Sequence, residues 1–163
     1  MRDGIGKNLL FGTAAGLTGT ALIQGMMKAS ERYAPESMPP MKEDPGKFIV
    51  KKIEKVLPDK AREKISDKHE SIASTLLSFG YGTTAAILYH AIPRRARRLF
   101  LDGTALGGLT WAAGYLGWLP AAKLTPPVAK HQPKQLVGEI GSHVLFGIAA
   151  VSVFEFLRSR FDD

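Results

Sequence analysis

The sequence predicts an all-α fold, a four-helix transmembrane bundle with an amphipathic helical loop between spans one and two. Two observations lead to this prediction: the chain holds four long apolar stretches, and nearly all of its charged residues lie outside them. A helix rises about 1.5 Å per residue and the hydrocarbon core of a bilayer is about 30 Å thick, so a span needs about twenty residues. Each stretch is about that long: Asn8–Met27, Ser71–Pro93, Gly103–Ala122 and Leu136–Leu157.

The average composition hides this pattern. A charged fraction of 23% is typical of a soluble domain, but the segment Lys28–Glu70 alone holds eleven Lys or Arg and nine Asp or Glu. The longest hydrophilic stretch is about forty residues, near the limit at which a domain can build its own core. We therefore expect a single integral-membrane domain over residues 1–163. The chain has no cysteine, which excludes disulfides and thiolate chemistry.

The first three stretches contain no Asp, Glu, Lys or Arg. We place the predicted spans at residues 8–27, 71–93, 99–122 and 136–157, with a hydrophilic and amphipathic loop over 28–70. Arg2 and Lys7, ahead of the first stretch, also fit a signal peptide. We interpret the stretch as an anchor, because its apolar part is longer than a signal core and no clear cleavage site precedes Lys28.

The fourth stretch carries ionisable residues, which are costly at membrane depth and therefore functional candidates. Glu139 and His143 are four residues apart, so they share one helical face and could form a proton-responsive carboxylate–imidazole pair. Glu155 lies sixteen residues after Glu139, about 24 Å along a helix. With Asp102, at the start of the third span, these residues form the candidate polar intramembrane site.

Each of these side chains also has a structural interpretation. Glu139 is suited to the first turn of a helix, where a carboxylate complements the dipole, and His143 to a hydrogen bond with a neighbouring helix. Glu155 can pair with Arg158, and Asp102 can cap the third span or face nearby arginines. Two ligands do not make a metal site, and no cluster has the spacing of a zinc or iron centre, so we expect no metal and no cofactor.

Glycine is concentrated in the apolar stretches, which hold fourteen of the seventeen glycines. Gly12 and Gly16 are four residues apart, as are Gly103 and Gly107, a spacing that lets helices approach closely in lipid. We interpret these residues as packing sites within one chain. Homo-oligomerisation is the alternative.

A short connection between spans two and three contains four arginines: Arg94, Arg95, Arg97 and Arg98. The positive-inside rule places this turn, and with it both termini, on the cytoplasmic side. The eleven basic residues of the first loop argue against that orientation. The arginines also suit anionic lipid headgroups, although a role in setting topology is the simpler interpretation.

The first loop has two predicted parts. Four prolines, at positions 35, 39, 40 and 45, favour an extended link. After it, apolar residues recur at helical spacing from Phe48 to Leu57 with lysines on the other faces, which predicts an amphipathic helix. This helix either lies in the membrane interface or covers the bundle. Asp59 is a good N-cap for the segment that follows.

The sequence contains no phosphate-binding glycine loop, no Gly-x-Ser-x-Gly elbow and no His-Glu-x-x-His motif, so we expect no enzymatic activity. The net charge of +7 suggests nucleic acid at first sight. Because much of that charge sits beside membrane spans, topology and lipid contact explain it more simply, and we expect no nucleic-acid partner.

The order and spacing of C-terminal residues carry a resemblance to a known family. They run from Leu124-Thr125-Pro126-Pro127, through an eleven-residue spacer, to Glu139, Ile140 and His143, and then to Glu155 and Arg158. In this the chain resembles the YagU-like bacterial inner-membrane proteins, whose Pro-Pro pair is echoed by Pro39-Pro40. It departs from them in its long, lysine-rich first loop and around Asp102. The resemblance implies a multi-pass protein of the bacterial inner membrane with no established enzyme activity, and it favours Glu139 and His143 as site residues.

Two hypotheses of function follow. The first is a structural or accessory membrane component that binds lipid, another membrane protein or a second copy of itself. The alternative is a proton- or ion-linked transport or channel component in which Glu139 and His143 line a polar path.

Overall fold

The structure is a computed structural model that describes residues 2–58, 65–92 and 98–161. Within these ranges the chain is helical and contains no strand, so the all-α class is confirmed. The elements, in order, are α1 (Arg2–Tyr33), a 3-10 turn (Pro35–Ser37), α2 (Pro45–Glu54), α3 (Asp67–Ala91), α4 (Leu99–Trp111), a π-helical segment (Ala112–Trp118), α5 (Leu119–Ala121), a second 3-10 turn (Val128–Lys130) and α6 (Pro133–Phe161).

The long helices pack side by side in the order α3, α1, α6, α4, each antiparallel to its neighbour. Helices α3 and α4, at the two ends of this row, make few contacts with each other. The Lys7 ammonium donates to the Phe161 carbonyl at 2.6 Å, so α1 begins where α6 ends. We call this the terminal end of the bundle. The opposite end, which holds the first 3-10 turn and the connection 122–132, is the loop end.

Glycines lie where the helices of this bundle meet, beside a core of large apolar side chains, and further large apolar residues lie on its outside. Gly16 of α1 lies against the backbone of Thr83 in α3, and Gly147 of α6 lies against the backbone of α4. Several large side chains are more than half exposed on the outer faces: Leu10, Leu76, Leu88, Leu109, Leu116 and Phe156. A soluble monomer rarely exposes so much apolar surface, whereas lipid-facing helices do.

In the part of the chain that the structure describes, three helices are long and apolar enough to cross a membrane: α1 from Ile5 onwards, α3 and α6. The third predicted span, 99–122, is divided into α4, the π-helical segment and α5, and the longest of these pieces has 13 residues. Gly117 lies inside the division with non-helical angles of φ −103° and ψ −109°, and Pro120, which lacks an N–H donor, follows it. The sequence pattern did not show this interruption of the helix.

Helix α2 covers much of the predicted amphipathic segment and packs against α3. The Asp44 carboxylate caps it by accepting from the Lys47 N–H at 2.8 Å, and it also accepts from the Ser74 hydroxyl at 2.6 Å. The helix ends at Glu54, so Val56, which is 81% exposed, lies beyond it. Because α2 packs against α3, the first loop covers one side of the bundle. The predicted cap Asp59 and the predicted end of the second span at Pro93 lie outside the described residues.

Candidate functional site

Glu139 is the most deeply buried ionisable residue of the candidate set. It is 1% exposed, in the second turn of α6, and its Oε1 lies 2.8 Å from Nδ1 of His131. Side chains on a helix lean towards its N-terminus, so Glu139 reaches the chain that precedes Pro133. Both side chains of this pair are fully removed from solvent.

His131 is held on its other side by the connection that leads into α6. Its Nε2 lies 2.9 Å from the Pro126 carbonyl oxygen and 3.2 Å from the Thr125 hydroxyl. A carbonyl only accepts, so Nε2 carries a proton and donates it there. A second proton lies between Nδ1 of His131 and Oε1 of Glu139. Wherever that proton sits, the pair is neutral overall, which reduces the cost of burying it.

Aromatic rings enclose this pair. The Tyr115 ring stands edge-on to the rings of both His131, at 6.2 Å, and His143, at 5.8 Å. Nε1 of Trp111 and Oε2 of Glu139 are buried, and neither forms a hydrogen bond of normal geometry with any described group. The indole nevertheless lies within interaction range of the carboxyl. Nε1 of Trp111 can therefore still donate a hydrogen bond, and Oε2 of Glu139 can still accept one.

The predicted side-chain pair of Glu139 with His143 is wrong. The His143 ring donates from Nδ1 to the backbone carbonyl of Glu139 at 2.8 Å, while the carboxylate of Glu139 turns to His131. Both side chains point back along α6, so each meets the group one turn or more before it rather than the other. Because Nδ1 holds the proton, Nε2 of a neutral His143 is a hydrogen-bond acceptor.

His143 lines two cavities at the loop end. The first has a volume of about 230 Å³ and is bounded by α1, α2, α3, the π-helical segment and the face of α6 that carries His143 and Phe146. The second, of about 160 Å³, lies between α1, the first 3-10 turn and α6. Tyr115 borders both cavities. Glu139 lines neither, because its carboxylate is enclosed with His131.

Asp102 and Glu155 lie at the other end of the bundle. The Asp102 carboxylate accepts from the Tyr89 hydroxyl at 2.9 Å and from the Arg98 backbone N–H at 2.6 Å, so it caps the start of α4. Glu155 lies 3.8 Å from the Arg158 guanidinium. The predicted set of four residues is therefore split: Glu139 and His143 lie at the loop end, Asp102 and Glu155 at the terminal end.

The predicted packing glycines lie at helix contacts inside the chain. Gly12 and Gly16 of α1 face Ile87 and Thr83 of α3, and Gly103 of α4 faces Ile148 of α6. Gly107 faces the backbone of His143 in the same helix pair. Of the four predicted headgroup arginines, Arg98 is the exposed residue that precedes α4. The other three, Arg94, Arg95 and Arg97, lie outside the described residues.

His131 and Trp111 were missed by the sequence reasoning. Neither residue lies three or four positions from Glu139, the spacing that would indicate a contact with its carboxylate on one helix. The Thr125-Pro126 dipeptide, part of the family-like pattern, was the available signal, since both residues contact His131. In the described parts of the chain, no three His, Cys, Asp or Glu residues are arranged to hold a metal ion.

Comparisons of the chain with protein-family models, with curated proteins and with solved structures found no match. A function is therefore inferred from the fold and from the geometry at the loop end.

Proposed function

We propose that this chain is a four-span, YagU-like protein of the bacterial inner membrane, non-enzymatic and with both termini cytoplasmic, that serves as a structural or accessory component binding lipid or another membrane protein. The observation that carries the proposal is the large apolar surface on the outside of a bundle whose helices meet at glycines. Glycines form the helix contacts inside the bundle, and exposed leucines and phenylalanines cover its outside. Lipid is the solvent that suits such a surface.

The span predicted over residues 99–122 is supported as a fourth crossing by the direct succession of its helical pieces. Helix α4, the π-helical segment and α5 follow one another from Leu99 to Ala121, with a kink at Gly117. Their combined length is close to the roughly 30 Å of a hydrocarbon core. A π-helical turn is tolerated in a span because its neighbours satisfy the backbone groups that it frees.

The contact between Lys7 and Phe161 brings the beginning of α1 and the end of α6 to the same end of the bundle. This arrangement supports an even number of spans. The absence of cysteine makes this directly testable, since single cysteines can be added without removing others. We expect Ala129→Cys to react with a membrane-impermeant maleimide on intact cells and Ser159→Cys to react only after lysis. The reverse pattern would contradict the orientation, and labelling of both on intact cells would contradict membrane crossing by four spans.

Proton- or ion-linked transport is the second candidate, favoured by the position of His143 between two cavities. The enclosure of Glu139 and the distance of Asp102 argue against a continuous polar path through the predicted residues. Flux measurements in proteoliposomes across pH separate the two functions. We expect no flux from the wild type or from a Glu139→Gln, His143→Ala variant of equal folded yield. A flux that disappears in the variant would establish transport instead.

A further inference from the structure

The larger of the two cavities that His143 lines occupies the place where α3 and α4 separate. Its volume of about 230 Å³ exceeds the roughly 150 Å³ of an engineered apolar cavity that holds benzene. It therefore has room for a branched or folded hydrocarbon segment. Ile23 of α1, Leu77 of α3 and Leu119 of α5 contribute apolar surface, and α2 covers the side towards the loop end.

Tyr81 lies where a molecule from the membrane can enter the cavity. It lies on α3, is 43% exposed, and also lines the cavity. Its hydroxyl is 3.4 Å from the Thr110 carbonyl oxygen of α4, so the side chain crosses between two helices that otherwise make few contacts. Its hydroxyl also interacts with Trp118, so this partly exposed ring is held by that contact and one long hydrogen bond, and displacing it opens the cavity towards the bilayer. A molecule dissolved in the bilayer can enter beside it without crossing the aqueous phase.

Two polar side chains of the cavity wall are available to an occupant. His143 offers Nε2 as an acceptor, because Nδ1 donates to the Glu139 carbonyl. The Thr20 hydroxyl belongs to a residue that is 3% exposed, and it has no hydrogen-bond partner among the described residues. A buried hydroxyl without a partner calls for a ligand or a water molecule.

The charges around the cavity restrict the occupant further. No Lys or Arg is among its described wall residues, whereas the Asp44 carboxylate is. An anionic headgroup would therefore be repelled rather than neutralised. A hydroxyl group, by contrast, can donate to the imidazole and accept from a threonine at the same time.

From this geometry we infer that the cavity between α3 and α4 binds one neutral lipid that carries a free hydroxyl group, with its hydrocarbon among the apolar wall residues and its hydroxyl donating to Nε2 of His143. This inference deepens the proposed lipid-binding function and rests on the membrane location of the bundle. The ligand class comprises long-chain alcohols and diacylglycerols.

The test uses a long-chain alcohol with a diazirine in its chain and the methyl ether of the same alcohol, which lacks the donor. The full chain is reconstituted in vesicles of phosphatidylethanolamine and phosphatidylglycerol, and cross-linked peptides are mapped by mass spectrometry. We expect the alcohol to label α3 and the segment 112–118 about five- to tenfold more strongly than the ether, as expected for one buried hydrogen bond. His143→Phe should make the two probes equal.

A matched pair of substitutions locates the site. Ser78 lines the cavity and Thr84 is exposed on the same helix outside the cavity wall, so Ser78→Phe fills the cavity and Thr84→Phe adds the same ring elsewhere. We expect cavity labelling to disappear in the first variant and to persist in the second. If Ser78→Phe does not fold, Gly114→Val replaces it, since a Cβ there meets its nearest atom, in Leu119, at 3.5 Å.

Four outcomes decide the inference. Undiminished cavity labelling in the filled variant overturns the site, and equal labelling by alcohol and ether in the wild type overturns the hydroxyl class. Lipid that copurifies with the protein while the probe labels only outer helix faces also overturns the site but leaves the proposed lipid-binding function standing. Failure of the chain to insert into vesicles overturns the proposed function itself.

Discussion

The two ends of the bundle use the same helices in opposite ways. At the terminal end, Gly103 and Gly147 bring α4 and α6 into backbone contact, and the carboxylate of Asp102 is satisfied by a helix cap. At the loop end, α3 and α4 leave a cavity between them, and the carboxylate of Glu139 is sealed in with an imidazole from a loop. Close backbone contacts also occur at the loop end, where Gly107 faces His143 and Gly138 faces Ser37, so what distinguishes this end is its enclosed polar pair and its cavity.

This difference indicates where a function can reside. Close backbone packing leaves no volume for a ligand, so the terminal end contributes mainly stability. The loop end keeps cavities, polar atoms for which the described residues provide no hydrogen bond of normal geometry, and a helical irregularity, three features that stability alone does not require.

The buried pair at the loop end should be the most sensitive feature of the chain. His131→Ala leaves the carboxylate of Glu139 buried without its partner, and we expect the free energy of unfolding in detergent to fall by about 3–5 kcal/mol. Titration with a denaturing detergent, followed by circular dichroism, measures this. Gln132→Ala, at the exposed neighbouring position, should change little.

A double-mutant cycle measures the coupling between His131 and Glu139 apart from the contribution of each residue alone. If His131 and Glu139 stabilise each other, the variant in which both are replaced by leucine should lose less free energy of unfolding than the sum of the two single variants. Additive losses would mean that the pair is not coupled, and the proposed contrast with the terminal end would fail.

The same substitution at two glycines compares the packing of the two ends. A methyl group at Gly103 would lie 2.6 Å from the Ile148 Cα, so α4 and α6 must separate, and we expect Gly103→Ala to cost about 1–3 kcal/mol of unfolding free energy. At Gly114 the nearest atom, in Leu119, is 3.5 Å away. There the substitution should leave the unfolding free energy unchanged or raise it by up to about 1 kcal/mol. Equal losses at both positions would refute the difference in packing.

Much of the fold could be predicted from hydropathy and spacing. The apolar stretches became α1, α3 and α6, because about twenty apolar residues in a row form a helix that has no other solvent than lipid or protein. The interruption of the remaining stretch could not be predicted in the same way. Gly117 and Pro120 allow a break without requiring it, so hydropathy and spacing alone do not decide whether it occurs.

The candidate site was only half predictable. The cap by Asp102 depends on residues four positions apart, a distance that a sequence pattern can show. The partner of Glu139 lies eight positions earlier, beyond the start of its helix, and is brought back by the course of residues 122–132. Helical periodicity carries no information about such a contact, so His143 was assigned in place of His131.

The polar contact at the terminal end should have a smaller effect than the pair at the loop end. Tyr89→Phe removes one hydrogen bond to Asp102, but the carboxylate keeps the N–H of Arg98. We expect a loss of about 1–2 kcal/mol in the free energy of unfolding, measured as above. Tyr33→Phe, at a position that is 77% exposed, is the control and should be neutral. A loss as large as that of His131→Ala would show that both ends depend on enclosed polar groups.

The smallest effect is expected where α6 meets the first 3-10 turn, outside the predicted spans. The pKa of Glu36 is lowered, first by a hydrogen bond with the backbone and second by the Lys134 ammonium, 3.5 Å away. Lys134→Gln should therefore raise the Glu36 pKa only part of the way to its ordinary value of 4.5, as measured by NMR titration of the side-chain carboxyl.

A depressed pKa stabilises the fold at pH values above the ordinary pKa, and this stabilisation disappears as the pH falls below that pKa. Because the carboxyl is exposed to salt and water, the pH dependence of stability should change only slightly in Lys134→Gln. A complete return of the pKa to 4.5 would show that the lysine, and not the turn, sets the charge of this carboxyl.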